Sequence, residues 1–296
     1  MTVQWYSQTP FSHETTQHSP VFFSALDWID VIPDAAVIGA LALLGLCTGF
    51  LAGLLGIGGG MLMVPFVTMI LASQGYPPEY TVKIAVATSL ATICFTSLAS
   101  VFAHHSRGAV LWPIVRLLAP GILIGSALGA QAAAALPSRI LGILFAIFVA
   151  FSATQMLLNR KPEPSRTMPG NVGTFLAGAL IGVLSSLVGA GGAFVSVPFM
   201  TWCNIKIHNA VGTSAALGFP IAFAGTLGYL WAGQALPEMP AGLLGFLYFP
   251  GVVVISAASM LTAPLGARTA HRLDIQPLRK IFAVVLYALA LYFLLR

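Results

Sequence analysis

Ten stretches of this chain are apolar on every side, and most of its polar residues fall between them. They show neither the one-sided stripe of a water-facing helix nor the alternation of a half-buried strand, and so read as helices in an apolar medium. They cover residues 36–55, 61–73, 83–103, 113–135 and 139–158, then 173–188, 193–203, 209–232, 241–267 and 277–295. Several reach the roughly 20 residues that a helix needs to cross a bilayer. The second stretch of each set, 61–73 or 193–203, is too short to cross alone. A membrane β-barrel is disfavoured, because its strands alternate apolar and polar positions.

The two sets are separated by "NRKPEPSRTMPGN", residues 159–171, a polar and proline-rich run that reads as a solvent loop. The expected division is a polar, extracytoplasmic N-terminal segment (1–35), a first membrane repeat (36–158), a cytoplasmic linker (159–171) and a second membrane repeat (172–296). The repeat is visible in the residues. "LLGIGGGMLMVPF" from Leu54 is answered by "LVGAGGAFVSVPF" from Leu187, and "AVATSLA" from Ala85 by "AVGTSAA" from Ala210. Further on, Pro120-Gly121 resembles Pro250-Gly251, and "LGAQ" from Leu128 resembles "LGAR" from Leu265. Matches in the same order indicate a duplication.

Composition sharpens the class. With 58% hydrophobic and 7% charged residues, the chain cannot cover a water-facing surface, which takes roughly 25% charge. The net charge of +5 comes from Lys and Arg scattered among loops, so it speaks for topology and not for nucleic acid. Cys47, Cys94 and Cys203 lie in apolar stretches without CxxC spacing and read as buried free thiols. Residues 1–20 contain no Lys or Arg, unlike the basic start of a signal peptide.

Basic residues also decide how the short stretches are used. If each forms a hairpin with the stretch before it, and the N-terminus is outside, then Arg107, Arg116, Arg160, Lys161, Arg166, Lys206, Arg268, Arg272, Arg279 and Lys280 fall inside. Only Lys83, Arg139 and Arg296 fall outside. A single interrupted crossing gives a near-even split, so the hairpin is favoured. Each half then crosses an odd number of times, which inverts the second half and places both termini outside. Inverted repeats of this kind hold substrate near the midplane in secondary transporters. The expected fold is an all-α polytopic membrane protein of two inverted repeats, each a glycine-motif hairpin plus three transmembrane helices, with about 8–10 membrane segments in all.

The glycine clusters then acquire a chemical reading. Irregular backbone at membrane depth survives only where protein or water satisfies it. Tips at Gly56, Gly58, Gly59, Gly60 and at Gly189, Gly191, Gly192, Ala193 would meet near the pseudo-two-fold axis. The short helices carrying Pro65 and Pro198 would start there with unpaired N–H groups, an anion cradle of neutral backbone. The alternative is that such glycines only allow close helix packing; duplication of the cluster with proline at a fixed distance favours the cradle. Thr88, Ser89, Thr213 and Ser214 could donate to anion oxygens, or bond the carbonyls of their own helices. Lys83 and His208 stand five residues before the two threonines. They read as entrance or coupling groups, with interface snorkelling as the alternative.

Absences narrow the chemistry further. The apolar stretches hold no Asp or Glu before 241 and none after it, so a cationic cargo is disfavoured. No Gly-Lys-Ser/Thr follows the glycines, which excludes a nucleotide loop. His104-His105 has no third ligand nearby and reads as a wet loop. No buried triad is present, so no enzyme, cofactor or metal site is expected.

The paired "GxGGG…VP" and "A-V-[AG]-T-S" elements resemble the TauE/SafE family of sulfite and organosulfonate exporters, over nearly the whole chain from about Val37. Gly58–Gly60 with Pro65 and Gly191–Ala193 with Pro198 fall on the family's two motifs, with Ala193 replacing a glycine. The resemblance implies export of a small sulfur oxyanion (sulfite, or organosulfonates such as sulfoacetate and taurine-derived anions) across the bacterial cytoplasmic (inner) membrane by alternating access. A passive anion channel, or an uptake transporter for a related small anion, stays open as an alternative. The expected partners are this anionic substrate and the lipid bilayer, without nucleic acid; a homodimer is compatible with the sequence.

Overall fold

A computed structural model describes residues 33–55, 59–158, 167–234, 242–269 and 276–295. Residues 1–32, Gly56, Gly58 and most of the 159–171 linker lie outside the described residues. The first five helices are α1 (Ala35–Leu55), α2 (Gly60–Ser73), α3 (Pro78–His105), α4 (Trp112–Ala135) and α5 (Ser138–Leu158). The next five are α6 (Asn171–Val188), α7 (Ala193–Trp202), α8 (Ile207–Gly233), α9 (Phe249–Thr269) and α10 (Gln276–Leu295). Most helix bounds lie close to the ends of the apolar stretches, and glycine or proline stands at several of them, as at Gly75 after α2, Pro137 after α4 and Gly189 after α6. Pro78 opens α3 at a position whose N–H would be unpaired in any helix, and Glu79 in that first turn suits the positive end of the dipole. Among the described residues, seven of the ten are long and apolar enough to cross a membrane; α2, α7 and the apolar part of α10 (Lys280–Leu295) are shorter.

One stretch is corrected. Residues 241–267 do not form a single helix: Leu243–Leu244 (β1) pairs antiparallel with Leu247–Tyr248 (β2), and α9 begins only at Phe249. The helix starts also reset one match of the repeat. Pro250 is the second residue of α9, and its counterpart is Pro113, the second residue of α4; Pro120 lies inside α4.

The packing exchanges the two sets of five. α1 packs on α9 as α6 packs on α4, α3 packs on α8, and α5 packs on α10. The tightest contacts are made by small residues. β-Carbons on Gly121 and Gly125 of α4 would run into the Phe175 and Ala179 carbonyls of α6, and one on Gly45 of α1 would lie 2.7 Å from the Ile255 carbonyl of α9. Lipid is as apolar as leucine, so close backbone approach, and not burial from water, holds such pairs together. Large side chains such as Phe102, Trp231 and Leu261 point outward, as they do on a lipid-facing surface.

Candidate functional site

Gly59 and Gly192 mark matching reversals of the chain. Gly59 caps α2 at φ 62°, ψ −19°, and Gly192 caps α7 at φ 75°, ψ −6°, left-handed conformations that strain any side chain. Each lies back on the helix before it. A β-carbon on Gly59 would sit 2.9 Å from the Thr48 carbonyl; one on Gly192 would sit 3.5 Å from Ile181 Cγ2 and 3.0 Å from Ser185 Oγ. Thr48 in α1 and Ile181 in α6 occupy matching places in the repeat. A straight helix would carry the glycines roughly 16 Å past them, at 1.5 Å per residue. The chain therefore turns back at both tips.

Each reversal starts a helix inside the protein. Among the described residues, the first N–H groups of the two helices to find carbonyls are those of Leu62 and Met63 on Gly59, and of Val195 and Ser196 on Gly192. The N–H groups of Gly60 and Met61, and of Ala193 and Phe194, precede them at the positive ends of α2 and α7. The tips touch. A β-carbon on Gly60 would run into the Gly189 carbonyl and lie 3.1 Å from Ala190 Cα. Ala193, at the place matching Gly60, instead borders a narrow cavity. Only one tip needs a third glycine. Pro65 and Pro198 are the sixth residues of their helices; lacking N–H groups, they leave the Met61 and Phe194 carbonyls without their usual helical donors.

The hydroxyl motifs sit on α3 and α8, beside the tips. Thr88 and Thr213 act as matched acceptors across the two halves. Tyr248 N–H donates to Thr88 Oγ1 at 3.0 Å and Leu111 N–H to Thr213 Oγ1 at 3.0 Å. Tyr248 and Leu111 immediately precede α9 and α4, so each threonine secures the helix start of the other half. Burial, with Tyr76 nearby, pushes the Tyr248 phenol up to about 12, which keeps it a neutral donor toward Gln74 Oε1 at 3.4 Å. Ser89 Oγ donates to the Gly189 carbonyl at 2.8 Å, and Ser214 Oγ shares a 2.7 Å bond with Ser196 Oγ.

Lys83 and His208 are not equivalent. Lys83 is buried; its Nζ donates to the Ala134 carbonyl at 2.6 Å, near the negative end of α4, and stands 5.9 and 5.8 Å from the Tyr80 and Phe246 ring centres. His208 is exposed on the first turn of α8.

Of the residues singled out in the sequence, Gly191, Ala193 and Ser214 line the cavity, which has a volume of about 20 Å³, enough for one or two waters. The rest of its wall is Ala52, Ala215, Gly218 and one face of α3: Ile93, Thr96, Ser97, Ser100 and His104. None of these lining residues is acidic. The α3 hydroxyls escaped the sequence reading, although Thr96, Ser97, Ser100 and His104 follow helical three-and-four spacing within an apolar run. His104 and His105 are corrected too. They form the last turn of α3, with His104 in the cavity wall and His105 Nδ1 accepting from Trp112 Nε1 at 3.1 Å.

A profile of the family described as "Sulfite exporter TauE/SafE" matches residues 41–293. The chain belongs to the TauE/SafE family. It is therefore a multi-pass membrane protein of a transporter family, and its relatives are named accordingly. A probable membrane transporter protein of Haemophilus influenzae is 36% identical over 86% of this chain and 97% of its own length. Similar proteins of that name occur in Methanocaldococcus jannaschii, at 28% identity over 86% of this chain and 94% of the relative, and in Bacillus subtilis, at 28% over 74% and 85%. These alignments take in most of this TauE/SafE chain, and the family match at 41–293 spans both glycine tips.

Proposed function

We propose that this TauE/SafE protein exports a small sulfur oxyanion, sulfite or an organosulfonate such as sulfoacetate, from the cytoplasm by alternating access. The observation that carries the reading is the start of α7 at a buried tip, its N–H groups beside a cavity walled by hydroxyls and no carboxylate. A helix N-terminus offers neutral donors and a positive potential, which suit an anion and repel a cation. Gly191, Ala193 and Ser214 contact the anion, and Ser97, Ser100 and His104 line its way in. The Gly59–Gly60 tip, with Thr88, Ser89 and Thr213, holds the frame that keeps this start in place.

The topology that fits is N-terminus and C-terminus outside, linker 159–171 inside, and two repeats inverted within the cytoplasmic membrane. The His104 end of the cavity then faces the cytoplasm, where Arg107 adds positive charge. An inside-negative potential favours anion exit by about 2.3 kcal/mol per charge per 100 mV, so no coupling ion is required.

Uptake of labelled sulfite, sulfoacetate, taurine and sulfate into inside-out vesicles tests this. Accumulation of sulfite or sulfoacetate above that in vesicles lacking the protein is the expected result; none for any of the four sinks the substrate assignment. Cysteines placed at Ser165 and Gln234 report orientation, the first labelling from the cytoplasm and the second from outside.

A further inference from the structure

Among the described residues, the face of α8 that matches the α3 cavity is closed, although the repeat supplies the parts for a second cavity. The match of Thr88 with Thr213 sets the register between α3 and α8. On it, Thr96, Ser97, Ser100 and His104 correspond to Ile221, Ala222, Gly225 and Tyr229. Along α3 this face opens gradually, from 2% exposure at Thr96 and 7% at Ser97 to half-buried Ser100 and His104. Along α8, Ile221, Ala222 and Tyr229 are all at 0%. Side chains close that face. Ile221 Cδ1 lies directly over Gly192, and Leu90 Cδ1 lies 2.9 Å from where a β-carbon on Gly225 would stand. The Tyr229 hydroxyl donates to the Ser186 carbonyl at 3.3 Å, and its ring meets Phe246 edge-on at 6.2 Å between centres.

Beneath this closure lies a polar group that packing does not explain. Ser185 corresponds to Ala52, a wall residue of the open cavity. Its hydroxyl is fully buried, stands 3.0 Å from the β-position of Gly192, and has no hydrogen-bond partner among the described residues. A buried hydroxyl in that condition carries an uncompensated desolvation cost, and alanine, as at position 52, would fill the same space without it.

We propose that the α8 face is the closed twin of the α3 cavity, that Ile221 and Tyr229 are its gate, and that the Ser185 hydroxyl binds the oxyanion once the gate opens. The proposal rests on the transport function above and adds which residues seal one side. Opening requires Ile221 to leave Gly192 and Tyr229 to release Ser186. Two such arrangements of one repeat-built frame, each open to a different side, are what alternating access needs.

The test is thiol labelling with a membrane-impermeant reagent in vesicles of both orientations, using a chain with Cys47, Cys94 and Cys203 replaced by alanine. Ser97→Cys is expected to label from one face. Ala222→Cys is expected to stay silent, and to label at least tenfold faster, from the opposite face, once Tyr229→Ala or the milder Ile221→Ala is added. Labelling of Ala222→Cys as fast as Ser97→Cys with the gate intact overturns the gate, as does silence with both gate residues cut back. Ser185→Cys follows the same rule, and excess sulfoacetate protects it in the opened chain. Silence there removes Ser185 from the cavity; labelling that neither sulfoacetate nor sulfate slows overturns its binding role. The labelling pattern does not depend on the cargo. A chain that labels as described but moves no sulfur oxyanion refutes the substrate and leaves the gate standing.

Discussion

The hydroxyl of Ser89 donates to the carbonyl of Gly189 at 2.8 Å, joining positions 100 residues apart. Gly60 packs on the same carbonyl. One joint thus fastens the hydroxyl motif of the first half and its glycine tip to the tip of the second half. A methyl group at 60 would meet backbone, which cannot swing aside, whereas Ala193 already carries its methyl at the matching place beside the cavity. Gly60→Ala is therefore expected to destabilise the protein by about 1–3 kcal/mol through overpacking. Ala193→Gly should cost about 1 kcal/mol or less, by helix propensity alone, and keep export. Thermal unfolding in detergent and vesicle transport check both; equal behaviour of the two variants would contradict the asymmetry.

Gly59 and Gly192 raise a different issue, since both hold left-handed backbone at the helix starts. A leucine there costs roughly 1–2 kcal/mol in conformation; at 192 it also covers the N–H groups beside the cavity, and at 59 it presses on the Thr48 carbonyl and unseats the frame. Gly59→Leu and Gly192→Leu are each expected to abolish export while the chain still inserts into the membrane. Wild-type transport by both variants, measured against their abundance in the membrane fraction, would remove the tips from the site.

Thr88 and Thr213 are predicted to act on stability before they act on transport. Valine at either position keeps the shape and leaves the Tyr248 or Leu111 N–H without its acceptor, at a cost of about 1–3 kcal/mol. Thr→Ser restores the oxygen and should recover most of the loss. Export by Thr88→Val and Thr213→Val should fall only with the folded fraction. A raised half-saturating substrate concentration at unchanged melting temperature would instead make them ligands.

How much of this was legible follows from what apolar sequence can encode. The starts of α2 and α7 could be read because glycines mark them, and the reversal could be read because charge counting has a physical cost behind it. The β1–β2 hairpin could not: "GLLGFLY" is as apolar as a helix, and only its pairing before Pro250 shows that the chain turns there. The partners of Thr88 and Thr213 were hidden because each lies in the opposite half. Their duplication was visible, and it was compatible equally with binding an anion and with securing a helix start. Thr96, Ser97, Ser100 and His104 carried a signal of spacing, but a polar stripe in one helix says nothing about whether its neighbours leave room beside it.

Lys83 separates the entrance reading from a structural one. Its ammonium is buried on the Ala134 carbonyl and between two aromatic rings, so its charge is already used. Lys83→Gln shortens the reach and removes the charge near the end of α4. The expected outcome is a stability loss of about 1–2 kcal/mol, with the half-saturating sulfite concentration within twofold of the parent. A several-fold rise in that concentration without a change in melting temperature would return Lys83 to the anion's path.

Ser97 offers the sharpest separation of path from fold. It is 7% exposed, borders the cavity, and its Oγ bonds the Cys94 carbonyl of its own helix at 3.1 Å, so the hydroxyl is not needed to hold another element. Ser97→Ala should leave stability within about 0.5–1 kcal/mol of the parent and allow transport. Ser97→Leu adds three carbons to the wall of a cavity of about 20 Å³, which has to widen to admit an anion, and so narrows the way in. On the α8 side, the isoleucine one place earlier in the matched register already shows how an aliphatic side chain closes such a face. Ser97→Leu is thus expected to cut export at least tenfold per folded protein, with a stability loss of about 1–3 kcal/mol from overpacking. Transport by Ser97→Leu at the parental rate would mean that the anion takes another route, and would move the site away from α3.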